Sequence, residues 1–245
     1  VGKNILAQME AVDSLEDLAA ITALGRPGPM DVGMDKHFIL RKNGKEQIKY
    51  PHDSLIETLK DTYGIIVYQE QVMLSVQILG GFSLEESDEV RRAMGSKNKD
   101  LLQSYKVRFV DYAVQSFSDI NIDRASEIWD QIESFARYGF NKSHSVAYAM
   151  IGFICQYLRQ HYSLEWYSAV FSNGSANDQK ELYPKIKELM VLPDINLSKD
   201  SFYIKDSKIV MSLSFIHGLG ERSVEDILKN QPCLYKNANR LEILF

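Results

Sequence analysis

Apolar residues recur at three- and four-residue spacing through most of the chain, and the runs are bounded by polar start signals and by glycine or proline stops. Three starts share one form. Ser14 precedes Asp17, Ser54 precedes Glu57 and Ser83 precedes Glu86, each by three residues. That spacing lets a hydroxyl and an acid satisfy orphan backbone N–H groups reciprocally, in full for the glutamates and more loosely for the aspartate. Behind the first cap, Leu15, Leu18 and Ile21 form a stripe that Arg26-Pro27-Gly28-Pro29 is expected to end, because two prolines cannot continue a helix. Behind the second, Leu55 and Leu59 lie one turn apart, with Gly64 as a stop.

Ile65 to Tyr68 is a short β-favouring run, followed by a helix over 69–79 closed by Gly80-Gly81. The third cap opens a helix to Met94, stopped by Gly95. Further helices are predicted over 100–115, 123–137, 145–162, 164–172 and 178–190. The helix from Asp123 carries Ala125, Ile128, Trp129, Ile132 and Phe135 on one face; that from Asp178 turns Leu182, Ile186 and Leu189 or Met190 inward. After Leu192-Pro193 the pattern changes to two short alternating runs, 202–205 and 209–213, around Asp206-Ser207-Lys208. Ile216-His217-Gly218-Leu219-Gly220 and a helical run over 221–229 follow. The expected fold is mainly α: a helical domain, then a small α+β segment, with a boundary near Leu192.

The chain has 245 residues, 45% of them hydrophobic and 25% charged, enough to bury a core. No apolar stretch approaches bilayer length, so no membrane partner is expected. The opening Val-Gly-Lys-Asn carries no signal-like segment and is expected to begin a fragment or processed chain. The cysteines, Cys155 and Cys233, show no metal-ligand spacing and are expected to be reduced, in a cytoplasmic protein. A net charge of -5 argues against a DNA-coating protein, so any nucleic-acid chemistry must come from local clusters.

Three constellations carry candidate chemistry. Tyr138-Gly139-Phe140-Asn141-Lys142-Ser143-His144-Ser145 lies between two predicted helices, with Ser143 or Ser145 able to cap the second. A helix start with Lys142, His144 and several hydroxyl or amide donors suits a phosphate chain. The same residues also suit an ordinary capped loop with a part-buried histidine. Next, Arg91, Arg92, Lys97 and Lys99 place four cations within nine residues. Neighbouring helical residues diverge by about 100°, so the two arginines are expected to serve different partners, one a triphosphate and the other template or a structural carboxylate. A solvated helix end is the alternative. Last, Gly218-Leu219-Gly220 fits the turn of a helix-hairpin-helix at a DNA backbone, or a simple strand-to-helix turn; with Ser223 in place of a last glycine it is no dinucleotide fingerprint. There is no Asp-x-Asp, no Walker A sequence and no histidine cluster. By itself the chain is expected to contain no catalytic residue and no metal ligand, and to synthesise no DNA.

Taken in order, LGRPGPMD (Leu24 to Asp31), TYGIIVYQEQVM (Thr62 to Met73), GGFSLEESDEVRRAMGSK (Gly80 to Lys97) and YGFNKSHSVAYA (Tyr138 to Ala149) resemble the DNA polymerase III alpha family of C-family replicative DNA polymerases. LPDIN (Leu192 to Asn196), with one proline fewer, and FIHGLGE (Phe215 to Glu221) resemble the start of that family's helix-hairpin-helix region. The likeness runs from about Asn4 to about Lys236, and the tail from Asn237 departs from it.

The resemblance implies the end of a palm over 1–30, helical fingers over 31–191 and the start of a helix-hairpin-helix region over 192–245. It implies nucleotide binding by Arg91, Arg92, Asn141, Lys142, Ser143 and His144, and DNA-backbone contacts by Lys97, Gly218 and Gly220. Arg26, Gln69, Tyr138 and Phe140 stand as base-pair or scaffold residues. The implied partners are DNA, a deoxynucleoside triphosphate, a palm-bearing remainder of the alpha subunit or a separate palm-bearing chain, and a sliding clamp bound elsewhere. Mg2+ would be held by palm aspartates that have no counterpart here. The alternatives are a non-catalytic chain of a split replicase and a helical interaction module.

Overall fold

Stripes of apolar residues at helical spacing need partners, and the chain meets that need mainly with α-helices. The computed structural model describes residues 2–96 and 99–234. Five short helices come first: α1 (Gly2–Leu6), α2 (Leu15–Leu24), α3 (Pro27–Asp31), α4 (Met34–Lys42) and α5 (Ile56–Leu59). Longer ones follow: α6 (Gln69–Gly80), α7 (Leu84–Ser96), α8 (Lys99–Ser116), α9 (Ile122–Ala136) and α10 (Lys142–His161). Then come α11 (Ser163–Asn173), α12 (Ala176–Ile186), β1 (Met190–Val191), β2 (Tyr203–Lys205), β3 (Lys208–Val210) and α13 (Glu221–Leu234). Two compact units divide between Gly152 and Phe153, inside α10, a different cut from the change in composition near Leu192.

In the first unit α6 is central, packing on α7, α8 and α9. Val72, Val76 and Leu79 of α6 meet Val90 and Met94 of α7, Phe109 of α8, and Ile128, Trp129 and Ile132 of α9 in one core. The stripe expected on α9 is fully buried at Ala125, Ile128, Trp129 and Ile132. Burial of each large side chain contributes about 1.5–3 kcal/mol. Gly81 ends α6 in the left-handed region at φ 63, a conformation that favours glycine, with the Tyr112 ring packed where a Cβ would stand. A second core gathers Ile21 and Leu24 of α2, Phe38 of α4, and Ile65, Val67 and Tyr68; Phe135, Tyr138 and Phe140 pack against it.

In the second unit α11 and α12 cover a three-stranded sheet of order β1-β3-β2. β2 and β3 pair antiparallel, with Ile204 opposite Ile209, through Asp206 and Ser207 at φ 48 and 58. Two successive left-handed residues match the twist of a two-residue hairpin.

The start signals are partly as expected. Ser83 and Glu86 form the full reciprocal cap: Glu86 N donates to Ser83 Oγ at 3.2 Å, and Ser83 N to Glu86 Oε2 at 2.8 Å. Arg108 also holds Glu86, and these contacts lower its carboxyl pKa to about 2. Ser14 accepts from Asp17 N at 3.1 Å, but the Asp17 side chain turns inward to Lys42 Nζ (2.8 Å) and Tyr63 Oη (2.9 Å) instead of reaching back. At the second start His52, not Ser54, is the cap: its Nδ1 accepts from Ser54 N.

Several boundaries shift for local reasons. The prolines that end α2 also open α3, because Pro27 at the first helical position needs no N–H partner. Residues 65–68 are buried but form no strand; Tyr68 is extended and makes one parallel bridge to Phe140. The helix expected over 178–190 starts at Ala176, capped by Ser175, and ends at Ile186, leaving Met190 for β1, a strand too short to show a period. Leu189 is exposed and Met190 buried.

Candidate functional site

The start of α6 organises the first two constellations, and its three polar residues divide the work. Gln71 is buried; its Oε1 accepts from Val67 N (2.8 Å) and Tyr68 N (3.0 Å), while its Nε2 donates to Thr62 Oγ1 (2.8 Å) and the Thr58 carbonyl. Gln69 donates its backbone N–H to the Phe140 carbonyl at 2.9 Å, and Phe140 N donates to the Val67 carbonyl. Its side-chain oxygen takes a long 3.4 Å contact from Arg91 Nη1. Glu70 faces the start of α10: both its oxygens accept from Lys142 N, at 3.1 and 3.0 Å, and Oε1 accepts from Asn141 Nδ2 at 3.2 Å.

α10 begins at Lys142, three residues earlier than expected, so Lys142, Ser143 and His144 form its first turn. The cap is Asn141, neither Ser143 nor Ser145. Asn141 Oδ1 accepts from His144 N at 2.8 Å and from Ser143 Oγ at 2.6 Å. Ser145 is fully buried and its Oγ has no hydrogen-bond partner. The exposed His144 ring stands between Phe140 (5.3 Å, edge-on) and Tyr148 (4.6 Å), so the part-buried histidine of the capped-loop alternative is not seen. Lys142 Nζ lies 5.7 Å from the centre of the Tyr68 ring. Burial, and then the carboxylates of Glu16, Glu70 and Asp61, push the Tyr68 phenol far above its ordinary value, so it stays protonated.

Within the protein, Arg91 and Arg92 share one carboxylate. Asp88 Oδ1 pairs with Arg91 (2.7 Å) and Oδ2 with Arg92 (2.5 Å), holding the Asp88 carboxyl below its usual range. One aspartate placed three and four residues before two arginines reaches both despite their divergence. Arg91 is half-buried beside Gln69, whereas Arg92 is exposed. Lys97 lies outside the described residues.

Arg26, Tyr138 and Phe140 form the junction beneath α10. Arg26 Nε donates to the Ala23 carbonyl and Nη2 to the Tyr138 carbonyl, both at 2.7 Å, and its guanidinium lies 4.4 Å from the Phe140 ring centre. Burial lowers the Arg26 pKa. A Cβ on Gly28 would stand 2.7 Å from Tyr138 Cδ1, so the glycine between the prolines leaves room for that ring. Gly218 and Gly220 lie in the second unit. Gly218 has φ 87, and a Cβ on either glycine would meet nothing within 4 Å. Gly218 also lines a cleft of about 1290 Å³ with Phe171, Tyr183, Phe202, Phe215 and His217.

Among the described residues no group of three or more His, Cys, Asp or Glu side chains is placed to hold a metal ion. Nor, among the same residues, is any helix long and apolar enough to cross a membrane.

The family model for the bacterial DNA polymerase III alpha subunit finger domain matches residues 2–116, and that for a helix-hairpin-helix motif matches residues 189–240. Curated relatives are similar over most of the chain. DNA polymerase III subunit alpha of Helicobacter pylori (strain 26695) is 42% identical over 233 residues, covering 89% of this chain and 19% of the relative. The proteins of that name from Aquifex aeolicus and Escherichia coli K12 are 40% and 39% identical, each covering 93% of this chain and 20% of the relative. The chain therefore spans about a fifth of the length of these relatives.

Proposed function

The chain belongs, over its finger region, to the bacterial DNA polymerase III alpha subunit family, and on that premise we propose that it is the nucleotide-binding fingers of a cytoplasmic replicative DNA polymerase. In this reading residues 1–30 close the palm, 31–191 are the fingers and 192–245 begin the helix-hairpin-helix region. The fingers take the triphosphate of the incoming deoxynucleoside triphosphate at Arg91, Arg92, Asn141, Lys142, Ser143 and His144. Template-primer DNA is met by the backbone at Gly218 and Gly220 and by Lys97.

One observation carries the nucleotide assignment. The start of α6 touches both candidate segments, through Gln69 to Arg91 and Phe140 and through Glu70 to Asn141 and Lys142. Residues far apart in sequence thus offer cations and a helix start to one place, where a polyphosphate is stabilised by charge-assisted hydrogen bonds and by the helix dipole. Arg91 supplies a planar fork for phosphate oxygens, and the exposed ring of His144, flanked by Phe140 and Tyr148, adds a further donor beside Lys142. Tyr138, Phe140 and Arg26 support the start of α10 from below. Magnesium activation of the 3′-hydroxyl belongs to carboxylates of a palm, which a larger alpha subunit or a separate palm-bearing chain would supply, together with sliding-clamp contacts.

The test is nucleotide affinity. Arg91→Ala and Lys142→Ala should each raise the apparent KM for nucleotide in the assembled polymerase, and the Kd of this chain, by the equivalent of about 1.5–3 kcal/mol. Unchanged values in both variants refute the site.

A further inference from the structure

An anion already holds the start of α10. We propose that Glu70 is a resident stand-in for phosphate: its carboxylate keeps the first amide of α10 until a polyphosphate displaces it, which makes the site selective for polyphosphates over single phosphates. The inference rests on the nucleotide-binding reading above and adds the regulation of that site.

The hydrogen bonds of the first turn carry the argument. Of the amides at the start of α10, His144 N donates to Asn141 Oδ1 and Ser145 N to the Asn141 carbonyl. Lys142 N donates to Glu70 through both oxygens. The amide nearest the entry to the helix, which an incoming phosphate would use, is therefore held by a carboxylate from another element, 72 residues away. Glu70 differs here from its neighbour Gln71. Gln71 is buried and bonded at both ends within its own neighbourhood, so it cannot leave without exposing unpaired groups. Glu70 is only part-buried, and its three bonds all run to Asn141 and Lys142, so it can exchange them for water.

Two anions cannot share one amide, because their repulsion in a partly desolvated setting exceeds what a second long hydrogen bond returns. An incoming phosphate must therefore out-compete a carboxylate that is tethered and already in place. A single phosphate gains little beyond the amide itself. A chain of phosphates also reaches Lys142 Nζ and the guanidinium of Arg91, and so displaces Glu70. A bare helix start would take any small anion; one already held by Glu70 discriminates by total charge and reach.

The experiment is equilibrium dialysis of the 245-residue chain with dATP, inorganic tripolyphosphate and orthophosphate at fixed ionic strength, for the unaltered chain, Glu70→Gln and Arg91→Ala. Removing one partly exposed like charge should tighten tripolyphosphate and dATP binding by roughly 2- to 5-fold in Glu70→Gln and narrow the preference for tripolyphosphate over orthophosphate. Arg91→Ala should weaken both polyphosphates. If Arg91→Ala weakens binding but Glu70→Gln leaves it equal or weaker, Glu70 is a permanent strut and the inference is overturned, while the nucleotide site stands. If neither variant changes binding, the nucleotide site is refuted and the inference with it. A measurement on the unaltered chain guards against a variant that fails to fold. The Lys142 amide and Glu70 side-chain carboxyl resonances should both shift on saturation with tripolyphosphate; a Glu70 carboxyl that does not move also overturns the inference.

Discussion

Arg26 offers the sharpest separation between scaffold and ligand-binding roles, because its bonds are short and their partners identified. Its guanidinium donates to the carbonyls of Ala23 and Tyr138 at 2.7 Å each and stacks 4.4 Å from the Phe140 ring centre. It thereby fastens the end of α2 to the segment that launches α10, across 112 residues of sequence. A hydrogen bond from a charged donor contributes about 1.5–3 kcal/mol, and a cation–π contact at a partly exposed site about 0.5–1 kcal/mol. The three contacts share one side chain, which is only partly buried, so they do not add in full. Arg26→Ala is expected to destabilise the first unit by about 2–4 kcal/mol, or roughly 5–15 °C in Tm for a unit of this size. Arg26→Lys should recover little, because one ammonium cannot span both carbonyls. Urea unfolding followed by Trp129 fluorescence in a Trp166→Phe background reads the first unit, since Trp129 lies fully buried in its larger core. A midpoint unchanged within about 0.5 kcal/mol, together with lost nucleotide binding, would refute the scaffold role and make Arg26 a ligand contact.

Two other outcomes follow from the structure. On the proposed reading, in which backbone N–H groups at Gly218 and Gly220 meet phosphate rather than base edges, replacing both with leucine should weaken duplex DNA binding equally for unrelated sequences, with a shallower salt dependence; a loss confined to one sequence counts against it. Glu86 has a folded pKa of about 2, below the ordinary value of 4.5, so the stability it contributes is present above about pH 4.5 and is lost as pH falls towards 2. The gap in Tm between the unaltered chain and Glu86→Gln should be constant near neutrality and close over that window, and a gap that widens on acidification contradicts the assignment.

Local patterns were legible where the deciding physics is local. The α9 stripe, the Ser83–Glu86 cap, the glycine stop of α6 and the β2–β3 hairpin follow from spacing within a few residues. Long-range partners decided the rest. Asp17 satisfies the capping spacing with Ser14, yet its side chain is drawn to Lys42 and Tyr63, which no local pattern reveals. Residues 65–68 have the composition of a strand, but they find Phe140 for a single bridge and no further ladder, so they stay buried outside any sheet.

At the candidate site the same division explains what sequence reasoning named and what it missed. Lys142, His144, Arg91 and Arg92 are conspicuous because charge and helix starts can be read along a chain. Asp88 was available to the same reasoning, since an acid three and four residues before two arginines is a helical ion-pair signal. The role of Glu70 left no local trace: its partners lie 71 and 72 residues away. The residue stands in the Gln69-Glu70-Gln71 stretch that resembles the family, but its pairing with Lys142 does not show along the chain, and the sign of the charge at the helix start depends on that pairing. Lys142 and a bare helix N-terminus describe an open anion site, whereas the same residues with Glu70 in place describe a neutralised one that a ligand must win. Whether this chain holds a nucleotide thus depends on how much better three linked phosphates compete for one amide than a single carboxylate does.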